Sequence, residues 1–261
     1  MTAIALQMFG ADVLKVRKRR STIVWVLVLA LLPVIILFTA KAIQHSSNPL
    51  KYEPAGGTPG FTDGVRLLCL FFGPLAAILI GVEAGTGDVS AGVFRDLVVT
   101  GRSRLGLFAS RVPAALAVCW SVIIVGYGLV LLGTFAFASN LPTPDASLVL
   151  NGFGFALLAT GVVCTVAVGF ASLTTSKPAA ITALIGWQLV ASPLIANISS
   201  LGRARDAVLS QAIVHFSPVH TGGGGHGAIV TMSQGTGLLV IVGWLALFLA
   251  LGAWRTRTMD A

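Results

Sequence analysis

Residues 15–41 read KVRKRRSTIVWVLVLALLPVIILFTAK, and this stretch decides the fold class. Five of its first six residues are Lys or Arg, and a mostly apolar run without acidic side chains follows them. A membrane-spanning helix needs about 20 such residues. The run is too long for the apolar part of a signal peptide, and no small-residue cleavage site follows it. We therefore interpret residues 22–41 as the first membrane span.

The rest of the chain has the same character. Of its 261 residues, 56% are hydrophobic and 10% are charged, whereas about 25% of the residues of a soluble domain are charged. Charges this sparse cannot cover a globular surface, which excludes a soluble enzyme, a disordered tail and a nucleic-acid-binding domain. We predict an all-α integral membrane protein, one transmembrane domain over residues 1–261, with six spans: residues 22–41, 65–82, 112–137, 148–172, 179–201 and 235–254.

Two of these spans contain residues that disturb a regular helix. Pro74 lies within residues 65–82, and a proline inside a helix removes a backbone hydrogen bond, so we expect a kink there. Asn151, Gly152 and Gly154 interrupt the start of residues 148–172, so we expect that span to begin later than residue 148.

The distribution of positive charge predicts the orientation. In the six-span arrangement, twelve of the seventeen Lys and Arg residues fall on the side of the two termini and five on the other. Because Lys and Arg are enriched on the cytoplasmic side, we expect both termini in the cytoplasm. The net charge of +8 is thus mainly a topology signal. The expected location is the cell membrane, and a composition rich in Arg, Gly, Ala and Val is typical of a GC-rich bacterial genome.

The motifs of several catalytic and binding sites are missing. The sequence has no H-E-x-x-H, no G-x-S-x-G and no G-x-x-x-x-G-K-[ST]. We therefore expect no catalytic residue, no metal site and no cofactor in this chain, and any ATPase must be another polypeptide. The spans hold no Asp, Glu or Lys away from their edges, which argues against a proton-driven carrier. Their polar residues either make interhelical hydrogen bonds or line a translocation path: Asn151, Thr160, Gln188 and Asn197.

Residues 1–20 have the pattern of an amphipathic helix in the membrane interface. An apolar stripe repeats at spacings of three and four residues, and Gln7, Asp12, Lys15 and Lys18 lie off it. This helix is either a plain anchor or a surface that also contacts a cytoplasmic partner. The stripe consists of Leu6, Phe9, Val13 and Val16.

Residues 83–111 form the longest expected cytoplasmic connection, whereas two neighbouring helices need only about 2–8 residues. Asp88 or Ser90 is placed to cap a short helix. The apolar face of that helix packs either on its own chain or on a partner. The face consists of Val93, Phe94, Leu97 and Val98.

The extracellular segment over residues 202–234 also contains a predicted helix. Its apolar face ends at Ser217-Pro218, and four consecutive glycines follow at residues 222–225. The three histidines nearby have no metal-site spacing, so we expect them to be solvated: His215, His220 and His226. The apolar face consists of Val208, Leu209, Ala212, Ile213 and Phe216.

The six spans and the connection after the second span together resemble the permease subunits of ABC-2-type transporters, a class of ATP-binding cassette exporters. In that family the connection often has a Glu, a Gly-Thr pair, a leucine-rich turn and Pro-x-Ser-Arg before the third span. This chain has Glu83, Gly92-Val93, Leu97-Val98 and Gly101-Arg102-Ser103-Arg104. It departs from the pattern at Val93, where Thr is common, and near Gly101, where Pro is common.

The resemblance implies a homo- or heterodimer of membrane subunits served by two separate ABC ATPase subunits, which carry the ATP and magnesium. Residues 83–111 would include the coupling helix that docks in the ATPase. Phe94 and Leu97 would be its apolar anchors, and Glu83 would pair with an arginine. The rim would be Arg95, Arg102 and Arg104. The family also has short extracellular re-entrant helices before the last span, which would correspond to residues 202–234.

Three functions remain open from the sequence. The first is the permease subunit of an ABC exporter, forming the translocation path. The second is a structural or assembly subunit of the membrane that transports nothing. The third is an integral membrane enzyme, which would need converging acid, base or metal groups at one membrane face.

Overall fold

The structure, a computed structural model, describes residues 2–90, 92, 103–174, 176–219 and 232–258. These residues fold into helices only, and six of the helices are long and apolar enough to cross a membrane, which confirms the predicted number of spans. The candidate spans are α2 to α6 and α8. The helices are α1 (Thr2–Lys18), α2 (Arg20–Ser47), α3 (Gly57–Arg66, Leu67–Phe72 and Gly73–Ser90 without a break), α4 (Arg104–Ala136), α5 (Ala146–Ala171), α6 (Lys177–Gly186, Trp187–Ala191 and Ser192–Asn197 without a break), a 3-10 helix (Ser199–Ala207), α7 (Leu209–His215) and α8 (Gln234–Thr258).

The helices α3 and α5 form the centre of the bundle, and α2, α6 and α8 lie at its periphery. Small residues allow the two central helices to approach closely. A Cβ added at Gly81 would lie 2.6 Å from the Cβ of Ala167, and one added at Gly85 would lie 2.7 Å from the Cβ of Ala171. Gly81 and Gly85 are four residues apart, as are Ala167 and Ala171, so the two residues of each helix lie on one face of it. This is the small-residue packing by which helices associate inside a membrane.

The helix α3 has an irregular turn just before Pro74, the residue at which the sequence predicts a kink. Its central part, Leu67–Phe72, has π-helical hydrogen bonding and ends just before Gly73-Pro74. The helix α6 repeats this arrangement, because its π-helical part Trp187–Ala191 ends just before Ser192-Pro193. A proline cannot donate the backbone hydrogen bond that a regular helix requires, and a wider turn before it changes the pairing of the carbonyls.

The helix α5 begins at Ala146, earlier than predicted. Its start is capped by Asp145, whose Oδ1 accepts a hydrogen bond of 3.0 Å from the backbone N–H of Leu148. Gly152 does not interrupt the helix. It makes room for Tyr127, because a Cβ at this position would lie 2.9 Å from the tyrosine oxygen.

The predicted cytoplasmic connection over residues 83–111 is wrong at both ends. The helix α3 continues past Glu83 and contains Asp88, and α4 begins at Arg104 with Ser103 as its cap. Asp88 therefore lies inside a helix and does not start one, and the connection narrows to residues 91–103. The predicted docking helix falls within this stretch, and four of the proposed coupling residues lie outside the described residues: Phe94, Arg95, Leu97 and Arg102.

Two shorter helices match the sequence pattern. The helix α1 covers most of the predicted interfacial helix, and its Val16 is buried against the rest of the chain. The helix α7 lies within residues 208–216 and buries Leu209, Ala212 and Ile213, as its apolar face predicts. The indole N–H of Trp244 in α8 donates to the carbonyl of Ala207 just before α7, at 2.9 Å.

Replacing Gly85 by Val tests the close contact of α3 and α5. We expect Gly85→Val to lower the free energy of unfolding by about 1–3 kcal/mol, because the new side chain overpacks the interface. The measurement is the thermal unfolding midpoint of the purified chain in mild detergent. The matched control is Gly243→Val in α8, where an added Cβ meets no atom within 4 Å. An equal effect of both substitutions would contradict the assigned packing.

Candidate functional site: a buried charge network

Charged and hydroxyl side chains from five helices, together with Arg19 between α1 and α2, meet at one end of the bundle, which we call the basic end. It contains α1, the starts of α2, α4 and α6, and the end of α3. We call the polar side chains that are linked there, within the described part of the chain, the charge network. Its members are Asp12, Lys15, Arg19, Thr22, Glu83, Asp88, Ser110, Arg111 and Lys177.

Glu83 is the centre of one half of the network. Its side chain is only 5% exposed. It accepts a hydrogen bond of 2.9 Å from the hydroxyl of Thr22 and pairs with Arg19 at 3.3 Å. It also forms an ion pair with Lys177 at the start of α6. The pairing of Glu83 with an arginine agrees with the expectation, and Lys177 is an additional partner that the sequence did not predict.

Asp88 is the centre of the other half. One carboxylate oxygen accepts from Arg111 at 2.9 Å and the other from Lys15 at 3.0 Å. The side chains of Asp88 and Arg111 are both almost fully buried. Asp88 lies near the end of α3 and Arg111 in the second turn of α4. Their ion pair therefore fastens the two helices on either side of residues 91–103.

Asp12 corrects the predicted pattern of α1. The sequence placed it off the apolar stripe, but it is buried and accepts a hydrogen bond of 2.6 Å from the hydroxyl of Ser110. It also binds Lys15 at 3.1 Å. Burial lowers the pKa of Lys15, but its hydrogen bond to Asp88 and the charges of Asp88 and Asp12 outweigh burial and raise that pKa. Lys15 is therefore a cation at neutral pH, as the two carboxylates require.

The network surrounds a cavity of about 190 Å³. Each of its three carboxylates binds at least one cation, so the negative charges are compensated. Buried ion pairs that keep their partners fix how helices are placed, and losing one partner is costly. The arrangement is chemically suited to hold these helices together. Among the described residues, no group of three His, Cys, Asp or Glu side chains could hold a metal ion.

Arg104, a predicted coupling residue, lies outside this network. Its guanidinium donates to the backbone carbonyl of Arg257 at 3.1 Å and so joins the start of α4 to the end of α8. Gly252 of α8 also lies against the ring of Phe108, where an added Cβ would be 2.9 Å from a ring carbon. These contacts place the end of α8 at the basic end as well.

The four polar residues predicted to line a path differ in burial. Thr160 is completely buried in α5, and its hydroxyl donates to the carbonyl of Ala156 in the same helix. Asn151 is exposed near the start of α5. In α6, Gln188 is partly exposed, and exposed Asn197 donates to the carbonyl of Pro193.

The sequence pattern did not identify Lys15, Asp88, Arg111 and Lys177 as partners. Each lies near the end of a predicted helix, and a charged residue at such a position is usually expected to be exposed to solvent. The available signal was the position of Asp88 and Arg111 on the two sides of one connection. Such a position brings two opposite charges to the same membrane edge.

Asp88→Asn tests whether the network stabilises the fold. We expect a loss of about 3 kcal/mol in the free energy of unfolding, because Arg111 stays buried without its counter-charge. The control is Asp63→Asn, which breaks the partly exposed pair of Asp63 and Lys41 at the other end of the bundle and should cost at most about 1 kcal/mol. Thermal unfolding in mild detergent measures both. A loss for Asp88→Asn no larger than the control would refute the assigned role.

The sequence was also compared with family models and with curated proteins. It matches no family model and no curated protein. What the chain does must therefore be inferred from its six candidate spans and from the charge network.

Proposed function

We propose that this chain is the permease subunit of an ABC-2-type exporter in the cell membrane, where it forms the translocation path and depends on separate ATPase subunits. The observation that carries the proposal is the fastening of residues 91–103. Their two flanking helices are joined by the ion pair of Asp88 and Arg111. A segment that docks on a moving partner needs such a firm attachment to the spans.

The charge network offers a route for the movement. A displacement of residues 91–103 acts on α3 and α4 together through Asp88 and Arg111. It reaches α2 through Arg19 and Thr22, and α6 through Lys177, because all three bind Glu83. ATP can shift the spans between two arrangements only if the ATPase binds one arrangement more tightly than the other. Because residues 91–103 are attached to four spans, the arrangement of those spans would determine how tightly the segment binds the ATPase.

The path itself belongs to the proposal. The enclosed position of Thr160 makes it a packing residue. Asn151, Gln188 and Asn197 keep exposed surface and stay candidates for the lining. The proposed complex is a dimer of this chain or of this chain with a second permease subunit, in which lipid-facing helices of one copy meet those of the other.

Co-purification tests the ATPase partner. We expect a P-loop ATPase to co-purify with the chain from native membranes in mild detergent, and Phe94→Asp to reduce its yield at least about tenfold, since an interface loses its affinity when a central apolar anchor is replaced. The readout is mass spectrometry together with ATP hydrolysis by the purified material.

The matched control for Phe94→Asp is Leu201→Asp. It adds the same carboxylate to an exposed apolar position in the 3-10 helix at the opposite end of the bundle. The proposal expects the ATPase to stay bound to this control. Failure to find any ATPase, or its full retention by Phe94→Asp, would refute the proposed coupling.

Reporter fusions test the orientation. A reporter after Ala261 should be active only in the cytoplasm, and one inserted next to Gly224 only outside, because twelve of seventeen Lys and Arg residues lie on the side of the termini. A phosphatase and a fluorescent protein at each site give opposite signals and serve as mutual controls. The reverse result at either site would contradict the proposed topology.

A further inference from the structure

The helix α1 has one packed face and one free face. Its packed face holds buried Asp12 and Val16 against the rest of the chain. Leu6 and Leu14 are instead 71% and 52% exposed, although both are large apolar residues. They are eight residues apart and thus lie on neighbouring parts of one helix side. Two exposed leucines on the unpacked side of this amphipathic helix indicate a surface with a further contact.

Three cations follow Leu14 at the end of α1 and the start of α2. Arg17, Lys18 and Arg20 are exposed. None of them forms an ion pair with any residue that the structure describes, in contrast to the neighbouring Lys15 and Arg19. The network thus uses two of the five cations in residues 15–20 and leaves three for another partner. That partner must carry negative charge.

The position along the chain indicates what the partner is. Only Arg19 separates the end of α1 from α2, which is the first candidate span. Trp25 lies just over one turn into α2 and is 60% exposed, and exposed Trp side chains mark the level of the lipid headgroups. The three cations therefore lie at headgroup level or just outside it, where phosphate groups are concentrated.

We propose that α1 and the first turn of α2 bind anionic phospholipids of the cytoplasmic leaflet. Arg17, Lys18 and Arg20 contact the phosphates, and Leu6 and Leu14 enter the boundary between headgroups and acyl chains. A basic helix with an apolar side binds a membrane surface in this way, and anionic lipids add about 1 kcal/mol per Lys or Arg. The inference goes beyond the proposed transporter function and does not depend on an ATPase.

The test is the stabilisation of the full-length chain by lipid. Phosphatidylglycerol or phosphatidylcholine with the same acyl chains is added to the protein in an uncharged detergent, and the thermal unfolding midpoint is followed. A ligand that binds only the folded state raises this midpoint as its concentration increases. We expect phosphatidylglycerol to raise the midpoint, phosphatidylcholine to have little effect, and added salt to weaken the difference.

Two pairs of substitutions locate the site. Arg17→Gln with Lys18→Gln should raise the half-saturating concentration of phosphatidylglycerol about thirtyfold. Arg255→Gln with Arg257→Gln removes two cations from the end of α8, also at the basic end, and should leave it unchanged. Leu14→Gln keeps the charge and should also weaken binding. If a variant is too unstable to melt cleanly, the lipids retained in native mass spectrometry replace the melting curve.

Several outcomes would overturn the proposal. One is an equal response to phosphatidylglycerol and phosphatidylcholine. Another is an equal loss in the Arg17/Lys18 and Arg255/Arg257 pairs, which would indicate a general charge effect. A third is full stabilisation by soluble glycerol phosphate, which would indicate a site for a free anion instead of a membrane surface.

Discussion

The ion pair of Asp88 and Arg111 is the interaction on which the basic end depends. Both side chains are nearly excluded from water, so each charge needs the other. Removing a charge from water costs several kcal/mol, and this cost is offset only when partner and geometry are both right. Arg111 therefore fixes how α3 and α4 meet. Lys15 joins α1 to Asp88 of α3, and Asp12 joins it to Ser110 of α4.

Packing and charge have separate tasks in this bundle. The helices α3 and α5 approach through Gly81, Gly85, Ala167 and Ala171, without polar contacts between these residues. Helices inside a membrane gain little from the hydrophobic effect, so close backbone contact is what favours their association. At the basic end, charged side chains also join α3 to α1, α4 and α6. The helix α3 takes part in both the close packing and the charge network. It therefore contacts α1, α2, α4, α5 and α6.

The six spans were predictable because each depends on a local property, a sufficiently long apolar run. The helix ends were not, because α3 extends past its apolar run into a segment that contains Glu83, Gly85 and Asp88. Charges and glycines there suggested a loop, but the glycines serve close packing and the carboxylates find partners on other helices. The burial of Asp12 could not be read from the periodicity of α1. It depends on Ser110, a residue 98 positions away that only the tertiary fold brings near.

The contacts of Glu83 have a consequence for the order in which the protein is made. A chain is synthesised from its N-terminus, so Arg19 and Thr22 already exist when Glu83 leaves the ribosome, whereas Lys177 follows 94 residues later. For Asp88, Lys15 is already present and Arg111 comes after 23 residues. The charges of α3 are thus compensated in stages. In a nascent chain that carries only its first four spans, Arg19 and Thr22 are available to Glu83, and the fifth span then supplies Lys177.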